Sequence, residues 1–160
     1  MTKKKKKKLP DRILPIPCSD KEGWTETWLK PSNRNLLNIP HPWRGVFTGP
    51  PSSGKSTAIK NIIVRSKPKF AEIIVVHLDE NSGEWSDCDA TMIKELPEPT
   101  SFDRKKKKLL ILEDLNLNNM NKTDKAKLNR LFGYASSHCN LSIAITSHNV
   151  FDLSPSIRRM

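Results

Sequence analysis

The sequence predicts an α/β fold in which helices cover both faces of a mostly parallel sheet. Apolar runs of strand length alternate with segments whose apolar residues recur at helical spacing. The strand runs are almost continuously apolar, as strands buried on both faces are. Polar or acidic residues follow these runs directly, at the edge where open α/β sheets bind ligands. A chain of 160 residues is long enough to bury one such core.

The first strand is predicted at residues 43–48, after a turn marked by Pro40 and Pro42. A helix follows, with Ile59, Ile62 and Ile63 on one face, and it ends near residues 67–68. The loop between them matches the pattern G-x-x-x-x-G-K-[ST] at every position. We expect its residues to bind a triphosphate: Gly49, Pro50, Pro51, Ser52, Ser53, Gly54, Lys55, Ser56 and Thr57.

Strand, loop and helix together suit an anion of triphosphate size. Successive backbone N–H groups point at the ligand, and the dipole at the helix N-terminus favours negative charge. Pro50 and Pro51 have no N–H group, so the donors are expected from residues 53–57. Lys55 is expected to reach the β and γ phosphates of ATP, and the Ser56 hydroxyl to ligate Mg²⁺. The alternative is an ordinary Gly/Ser/Pro surface turn.

The rest of the core follows the same alternation. Residues 71–78 form a second apolar strand, residues 79–89 a polar loop, and residues 92–96 a short helix or strand. A third clear strand begins at residue 109 and ends in Glu113 and Asp114. Leu128, Leu131 and Ala135 lie on one face of a helix of about four turns that is expected to be capped near Thr123. A further strand is predicted at residues 141–146.

The acidic pair narrows the chemistry, because the loop alone does not distinguish a kinase, a switch or a motor. One carboxylate after such a strand holds hydrated Mg²⁺, and an adjacent acid polarises the attacking water. By position, Glu113 is the metal ligand and Asp114 the base, although the two roles could be exchanged. The alternative is a solvated strand end.

Two further sites carry polar groups with possible roles. His148 follows the strand at residues 141–146 and is a candidate sensor of the γ phosphate, with a surface histidine as the alternative. Arg158 and Arg159 are candidates for an arginine finger that reaches the nucleotide of a neighbouring subunit. Their alternative is a pair of exposed basic residues near the terminus.

The charge and the cysteine content limit which binding partners and which cellular compartment are expected. The net charge is +11, and one lysine run, residues 3–8, lies in a basic tail at residues 1–20. Residues 104–108 form a second run; either run could bind DNA or simply be solvated, and the first could also be a nuclear localisation signal. The cysteines Cys18, Cys88 and Cys139 form no C-x-x-C pair, which indicates a reducing compartment. No apolar run reaches membrane-span length, so a soluble intracellular protein is expected.

Four segments of the chain resemble the genome-packaging ATPases of large double-stranded DNA viruses, within the FtsK/HerA group of P-loop motors. They are His41-Pro42-Trp43-Arg44, the loop at residues 49–57, the strand ending in Glu113 and Asp114, and the C-terminal stretch from Thr146 to Phe151 with Ser156-Ile157-Arg158-Arg159. The resemblance covers about residues 40–160. It is carried most by the closing Asn-x-Phe and Ile-Arg-Arg pattern, since the phosphate loop is common to a whole superfamily.

The resemblance implies a three-layer sandwich with an additional strand in the sheet. It also implies an ATP hydrolase that assembles as a ring of five or six subunits. The implied partners are double-stranded DNA and a capsid or portal component. The implied location is a virus assembly site in the host cytoplasm or nucleus, or the virion. The domain then spans residues 41–160, after an extension at 21–40 that packs on it. This chain has Glu-Asp where the family more often has Asp first, His148 where glutamine is usual, and a C-terminus before the family's fifth core strand, so a shortened form is expected.

Two other functions remain open from the sequence. A nucleotide-dependent DNA-binding or assembly module would bind ATP without efficient turnover, which the altered acids and the early C-terminus allow. A nucleotide kinase is the third hypothesis. The sequence has no arginine-rich lid segment after the acidic strand, which argues against a kinase.

Overall fold

The structure is a computed structural model, and it describes residues 39–79, 81–115, 117 and 119–159. The predicted basic tail at residues 1–20 lies outside the described residues, as does the predicted extension at 21–40 apart from its last two residues. Cys18 and the lysine run at residues 3–8 therefore also lie outside them.

The described sheet has five strands, all parallel, which confirms the predicted α/β class. The strands are β1 (Arg44–Thr48), β2 (Glu72–Val76), β3 (Thr91–Ile93), β4 (Lys108–Leu112) and β5 (Leu141–Ser147). Their order across the sheet is β1-β5-β4-β2-β3. One strand, β5, thus lies between the strand before the phosphate loop and the strand before the acids. This is the additional-strand arrangement that the resemblance implies.

The segment between β2 and β4 departs from the sequence predictions. β2 is shorter than residues 71–78, because the chain turns after Val76, where the Asp79 N–H donates to His77 Nδ1 at 3.0 Å. The short element expected at residues 92–96 is strand β3, one residue earlier. The polar loop predicted at residues 79–89 contains a 3-10 turn, Gly83–Cys88, which buries Trp85. The plain loop prediction was wrong there, because one large apolar side chain packs the turn onto the sheet.

Three α-helices accompany the sheet in the described residues. α1 (Lys55–Arg65) follows the phosphate loop. α2 (Lys122–Arg130) continues without a break through a π-helical turn, Leu131–Ala135, and a last turn, Ser136–His138. Its N-cap is Asn121, whose Oδ1 accepts from the Asp124 N–H at 2.8 Å, so the cap predicted near Thr123 was two residues late. α3 (Pro155–Arg158) is a single turn close to the C-terminus.

The sheet is the middle of three layers. On one face, α1 and the 83–88 turn contribute Ile59 and Trp85 to a core with the side chains of Leu109 and Ile111. On the other face, α2 and the C-terminal segment pack against the alternate residues of β4 and β5, in a core that includes Leu110, Leu112, Leu128, Phe132, Ile143, Ile145, Leu153 and Ile157. Strands buried on both faces are mostly apolar, which is the pattern that predicted β4 and β5.

Candidate nucleotide-binding site

The loop between β1 and α1 depends on two glycines. Gly54 is the N-cap of α1 and has φ +86°, a left-handed conformation that glycine adopts without steric cost. A side chain at Gly49 would force Ser53 to move, because a Cβ there would lie 2.6 Å from Ser53 Oγ. The Ala58 N–H donates to Gly54 O at 2.9 Å and closes the first turn of α1. The first amides of α1 therefore lack helix partners and lie next to the loop.

Lys55 and Ser56 extend from the first turn of α1. Lys55 Nζ donates to the carbonyl oxygens of Gly49 at 3.0 Å and Pro50 at 3.2 Å, which holds the ammonium over the loop. The Ser56 hydroxyl donates to Glu113 Oε1 at 3.0 Å. The predicted metal ligands from the loop and from the acidic strand are thus in direct contact.

Glu113 is buried at the end of β4, with only 3% of its surface exposed. Its backbone N–H continues the sheet ladder by donating to Val76 O at 3.0 Å. Its second carboxylate oxygen, Oε2, accepts from the indole Nε1 of Trp85 at 2.5 Å. Burial raises the pKa of the Glu113 carboxyl, while the hydrogen bonds from Trp85 and Ser56 work in the opposite direction.

Asp114 lies beside the end of β5 in a left-handed conformation, with φ +44°. Its N–H donates to Thr146 Oγ1 at 2.9 Å, and the Thr146 hydroxyl donates back to Asp114 Oδ1 at 3.1 Å. Its other oxygen, Oδ2, lies 4.0 Å from His148 Nε2. The Asp114 side chain is 37% exposed and that of His148 is 54% exposed, so both are open to solvent. The two acids differ in exposure: Glu113 is buried against α1, whereas Asp114 is open to solvent.

These side chains line one cavity of about 350 Å³ at the carboxyl edge of the sheet. Its walls are Pro51, Ser52, Ser53, Gly54, Lys55, Ser56, Thr57, His77, Glu84, Glu113, Asp114 and His148. The sequence analysis missed His77 and Glu84. His77 could have been found as the first polar residue after a buried strand, whereas Glu84 lies in a loop that carries no motif.

The oxygen donors at this edge suit Mg²⁺. Among the described residues, no group of three His, Cys, Asp or Glu side chains could hold a metal ion alone. Mg²⁺ does not need one, because it is commonly held by one or two protein oxygens, waters and the phosphates of its substrate. The contact between Ser56 Oγ and Glu113 Oε1 provides two such oxygens side by side. The residues present therefore fit a magnesium nucleotide.

The two arginines predicted as a finger lie elsewhere. Arg158 is in α3, with its guanidinium carbon 5.7 Å from the ring centroid of Phe151. It lines a separate cavity of about 440 Å³ beside β1, together with Arg44. The walls of the nucleotide-site cavity include neither Arg158 nor Arg159, both of which are exposed.

Comparisons with known proteins support the fold. Neither protein-family models nor curated proteins match the sequence. Among solved structures, the monomer form of the pCW3 conjugation coupling protein TcpA with ATPγS is similar, with a TM-score of 0.51 and 14% sequence identity. The match covers 76% of this chain and 48% of TcpA, so this chain spans about half the length of that one.

The fold is that of a P-loop NTPase. An all-parallel sheet, helices on both faces and a glycine-rich loop at the carboxyl edge together give this architecture. At 14% identity the likeness to TcpA shows the fold alone. Within the described part of the chain, no helix is long and apolar enough to cross a membrane.

Proposed function

We propose that the protein is a Mg²⁺-dependent ATPase that translocates double-stranded DNA and packages it into viral capsids. The observation that carries the ATPase proposal is the convergence of Lys55, Ser56, Glu113 and Asp114 on one cavity at the carboxyl edge of the sheet. The DNA and packaging parts are supported by the resemblance of the four sequence segments. The likeness to a conjugation coupling protein solved with ATPγS also agrees with a nucleotide-dependent motor.

Each residue of the site has a separate role in the proposed hydrolysis of ATP. The loop amides and Lys55 bind and orient the phosphates, with Lys55 supplying a positive charge toward the β and γ groups. Ser56 and Glu113 would hold a Mg²⁺ ion, which would supply positive charge against the charge that develops during phosphoryl transfer. Asp114 is exposed and adjacent, so it can accept a proton from an attacking water. His148, within 4.0 Å of Asp114 Oδ2, is placed to orient that carboxylate or to meet the γ phosphate.

The assignment of roles to the two acids rests on their surroundings. Glu113 faces the Ser56 hydroxyl at 3.0 Å, as a metal ligand from the strand must face the one from the loop. Asp114 faces Thr146 and His148 at the open side of the site. We therefore propose Glu113 as the metal ligand and Asp114 as the base, which reverses the more usual order of residue types.

The assembled form follows from the same proposal. A ring of five or six subunits would bring Arg158 or Arg159 of one subunit to the nucleotide of the next, since neither lines the cavity of its own chain. Size-exclusion chromatography with light scattering, with and without Mg²⁺-ATP, measures this. A particle of five or six chain masses is expected with nucleotide; a strict monomer with nucleotide and duplex DNA would contradict the ring.

ATP hydrolysis by the purified protein, with and without duplex DNA, tests the function. We expect hydrolysis that DNA stimulates and that Lys55→Ala abolishes. Lys69→Ala is the matched control, because Lys69 is exposed and does not line the cavity. ATP binding without turnover would favour the assembly module, and phosphate transfer to an added nucleoside monophosphate would favour a kinase. Either result would contradict the motor.

A further inference from the structure

Trp85 is a buried residue that joins the 83–88 turn to the metal-binding carboxylate. Its side chain is 1% exposed, and its indole Nε1 donates to Glu113 Oε2 at 2.5 Å. The other carboxylate oxygen, Oε1, accepts from Ser56 Oγ at 3.0 Å. Each oxygen of Glu113 therefore has its own donor, one from the turn and one from the phosphate-loop helix.

The turn that carries Trp85 is itself tied to that helix. Lys60, in the middle of α1, donates to the carbonyl oxygen of Glu84 and forms an ion pair with Asp87 Oδ1 at 2.9 Å. Its Nζ also lies 5.6 Å from the Trp85 ring centroid, within range of a cation–π contact. One lysine thus contacts the backbone before the tryptophan, the ring itself and the acid after it.

We propose that Trp85 is a positioning residue, whose indole N–H fixes the Glu113 carboxylate so that Oε1 faces Ser56 and the metal. This inference rests on the proposed function for the identity of the metal nucleotide. The terminal torsion of a glutamate is broad, so a carboxylate without a second partner can rotate. Holding Oε2 fixes the direction of Oε1. Partners of metal ligands commonly tune metal affinity in this way.

The indole suits this role because its ring nitrogen has no free lone pair that could bind the metal. Its N–H only donates, so it holds the carboxylate without offering a ligand that would compete for the metal. Its ring fills the core between the sheet and α1 together with Ile59 and Ile111. A phenylalanine at position 85 would retain much of the packing and lose the hydrogen bond. Trp85→Phe therefore separates the two contributions.

The test compares Trp85→Phe with the matched control Trp43→Phe. Trp43 packs edge-on against Phe47, outside the residues that line the nucleotide-site cavity. We expect Trp85→Phe to raise the Mg²⁺ concentration for half-maximal ATP hydrolysis by about 10- to 100-fold. The KM for ATP at saturating Mg²⁺ should change little, and the control should match the wild type in both quantities.

Tryptophan fluorescence gives a readout that does not need turnover. Binding of Mg²⁺-ATP changes the charge next to the Trp85 indole, so its emission should shift. We expect a shift in the wild type and in Trp43→Phe, and none in Trp85→Phe. Absence of a shift in a wild type that binds Mg²⁺-ATP by calorimetry, or a shift retained in full by Trp85→Phe, would overturn the inference.

The outcomes separate this inference from the proposed function. A wild type that binds Mg²⁺-ATP without hydrolysing it would contradict the ATPase, and the Mg²⁺ dependence of ATP binding in the wild type and Trp85→Phe, measured by calorimetry, would still decide the role of Trp85. A folded Trp85→Phe protein with wild-type Mg²⁺ dependence would refute the role of Trp85 and leave the ATPase intact. If Trp85→Phe does not fold, Lys60→Met decides: a higher Mg²⁺ requirement supports the inference, and an unchanged one overturns it.

Discussion

The two edges of the sheet carry similar polar residues in opposite states. At the carboxyl edge, Lys55, Asp114 and His148 line an open cavity. At the amino edge, Lys108 and His41 are buried and bonded to other parts of the same chain. The difference shows that charge by itself does not make a binding site. A site needs polar groups that the fold positions and leaves open to a cavity.

Lys108 illustrates the amino edge. It is the first residue of β4 and is 2% exposed. Its ammonium donates to the carbonyl oxygens of Asp103, Lys106 and Cys139, the last two at 3.2 and 3.5 Å. Burial lowers the pKa of this group. The end of the predicted DNA-binding run is therefore a structural element that closes the loop before β4.

His41 occupies the same edge in a chain of hydrogen bonds. The Trp43 N–H donates to Ser142 Oγ at 3.1 Å, and Ser142 Oγ lies 2.7 Å from His41 Nδ1. His41 Nε2 is 3.1 Å from the carbonyl oxygen of Asn140, which can only accept, so the proton of a neutral His41 is on Nε2. Ser142 then donates to Nδ1. Burial, followed by repulsion from Lys107, lowers the pKa of His41 to about 4.

The largest expected effect comes from the carboxyl edge. Asp114→Asn should lower kcat for ATP by on the order of 10²- to 10³-fold, comparable to the loss of one transition-state group, with the Mg²⁺ requirement unchanged. Glu113→Gln should instead raise the Mg²⁺ requirement. Steady-state kinetics over a Mg²⁺ titration measures both. The opposite pattern would exchange the roles of the two acids.

The next effect is a pH dependence of stability from the amino edge. Because the folded pKa of His41, about 4, lies below its ordinary 6.5, the unfolded chain binds the extra proton between these values. The free energy of unfolding should therefore fall as pH drops from 6.5 to 4, by on the order of 3 kcal/mol from this group. Urea unfolding at several pH values measures it. His41→Asn should flatten that part of the profile, and a slope that survives the substitution would contradict the account.

Lys108→Met tests whether the second lysine run is structural at its end. Removing the ammonium takes the donor away from the buried carbonyl oxygen of Cys139 and from two part-buried ones, so the free energy of unfolding should fall by about 1–3 kcal/mol. Lys105→Met is the matched control, at an exposed position of the same run, and should leave stability within about 0.5 kcal/mol of wild type. Equal losses in the two variants would contradict the contrast drawn within the run.

The smallest effect concerns DNA. If the amino edge touches phosphates, the exposed Lys105 and Lys106 are the residues of the run to do so. We expect the double substitution to alanine to reduce the slope of log affinity for duplex DNA against log salt by about one to two. Lys108→Met should leave the slope unchanged. An unchanged slope in the double variant would exclude this run, and deletion of residues 3–8 then tests the other.

Local patterns predicted the fold and most of the site. The phosphate loop is a contiguous motif, and strands such as β4 and β5 are apolar because both their faces are buried. What the sequence did not reveal depends on long-range pairing. The contact between Trp85 and Glu113 spans 28 positions, and that between His41 and Ser142 spans 101. No spacing rule links such pairs.

Other sequence predictions were inexact because several residues suited the same structural role equally well. Asn121 and Thr123 both suit an N-cap, and only the hydrogen bond to Asp124 decides between them. In the run before β4, five basic residues look alike in sequence, yet Lys107 and Lys108 donate to backbone carbonyl oxygens while Lys105 and Lys106 are exposed. Burial, which depends on the folded chain, separates residues that composition treats as the same.

Calorimetric titration of Mg²⁺-ATP into the wild type, Lys55→Ala and Lys108→Met tests the central claim most directly. The claim is that the carboxyl edge binds nucleotide, whereas the buried Lys108 of the amino edge only stabilises the fold. Loss of one charged hydrogen-bonding group at the site should weaken binding by about 10- to 100-fold in Lys55→Ala. Lys108→Met should bind as the wild type does, at a temperature where it is folded. Wild-type affinity in Lys55→Ala would contradict the account.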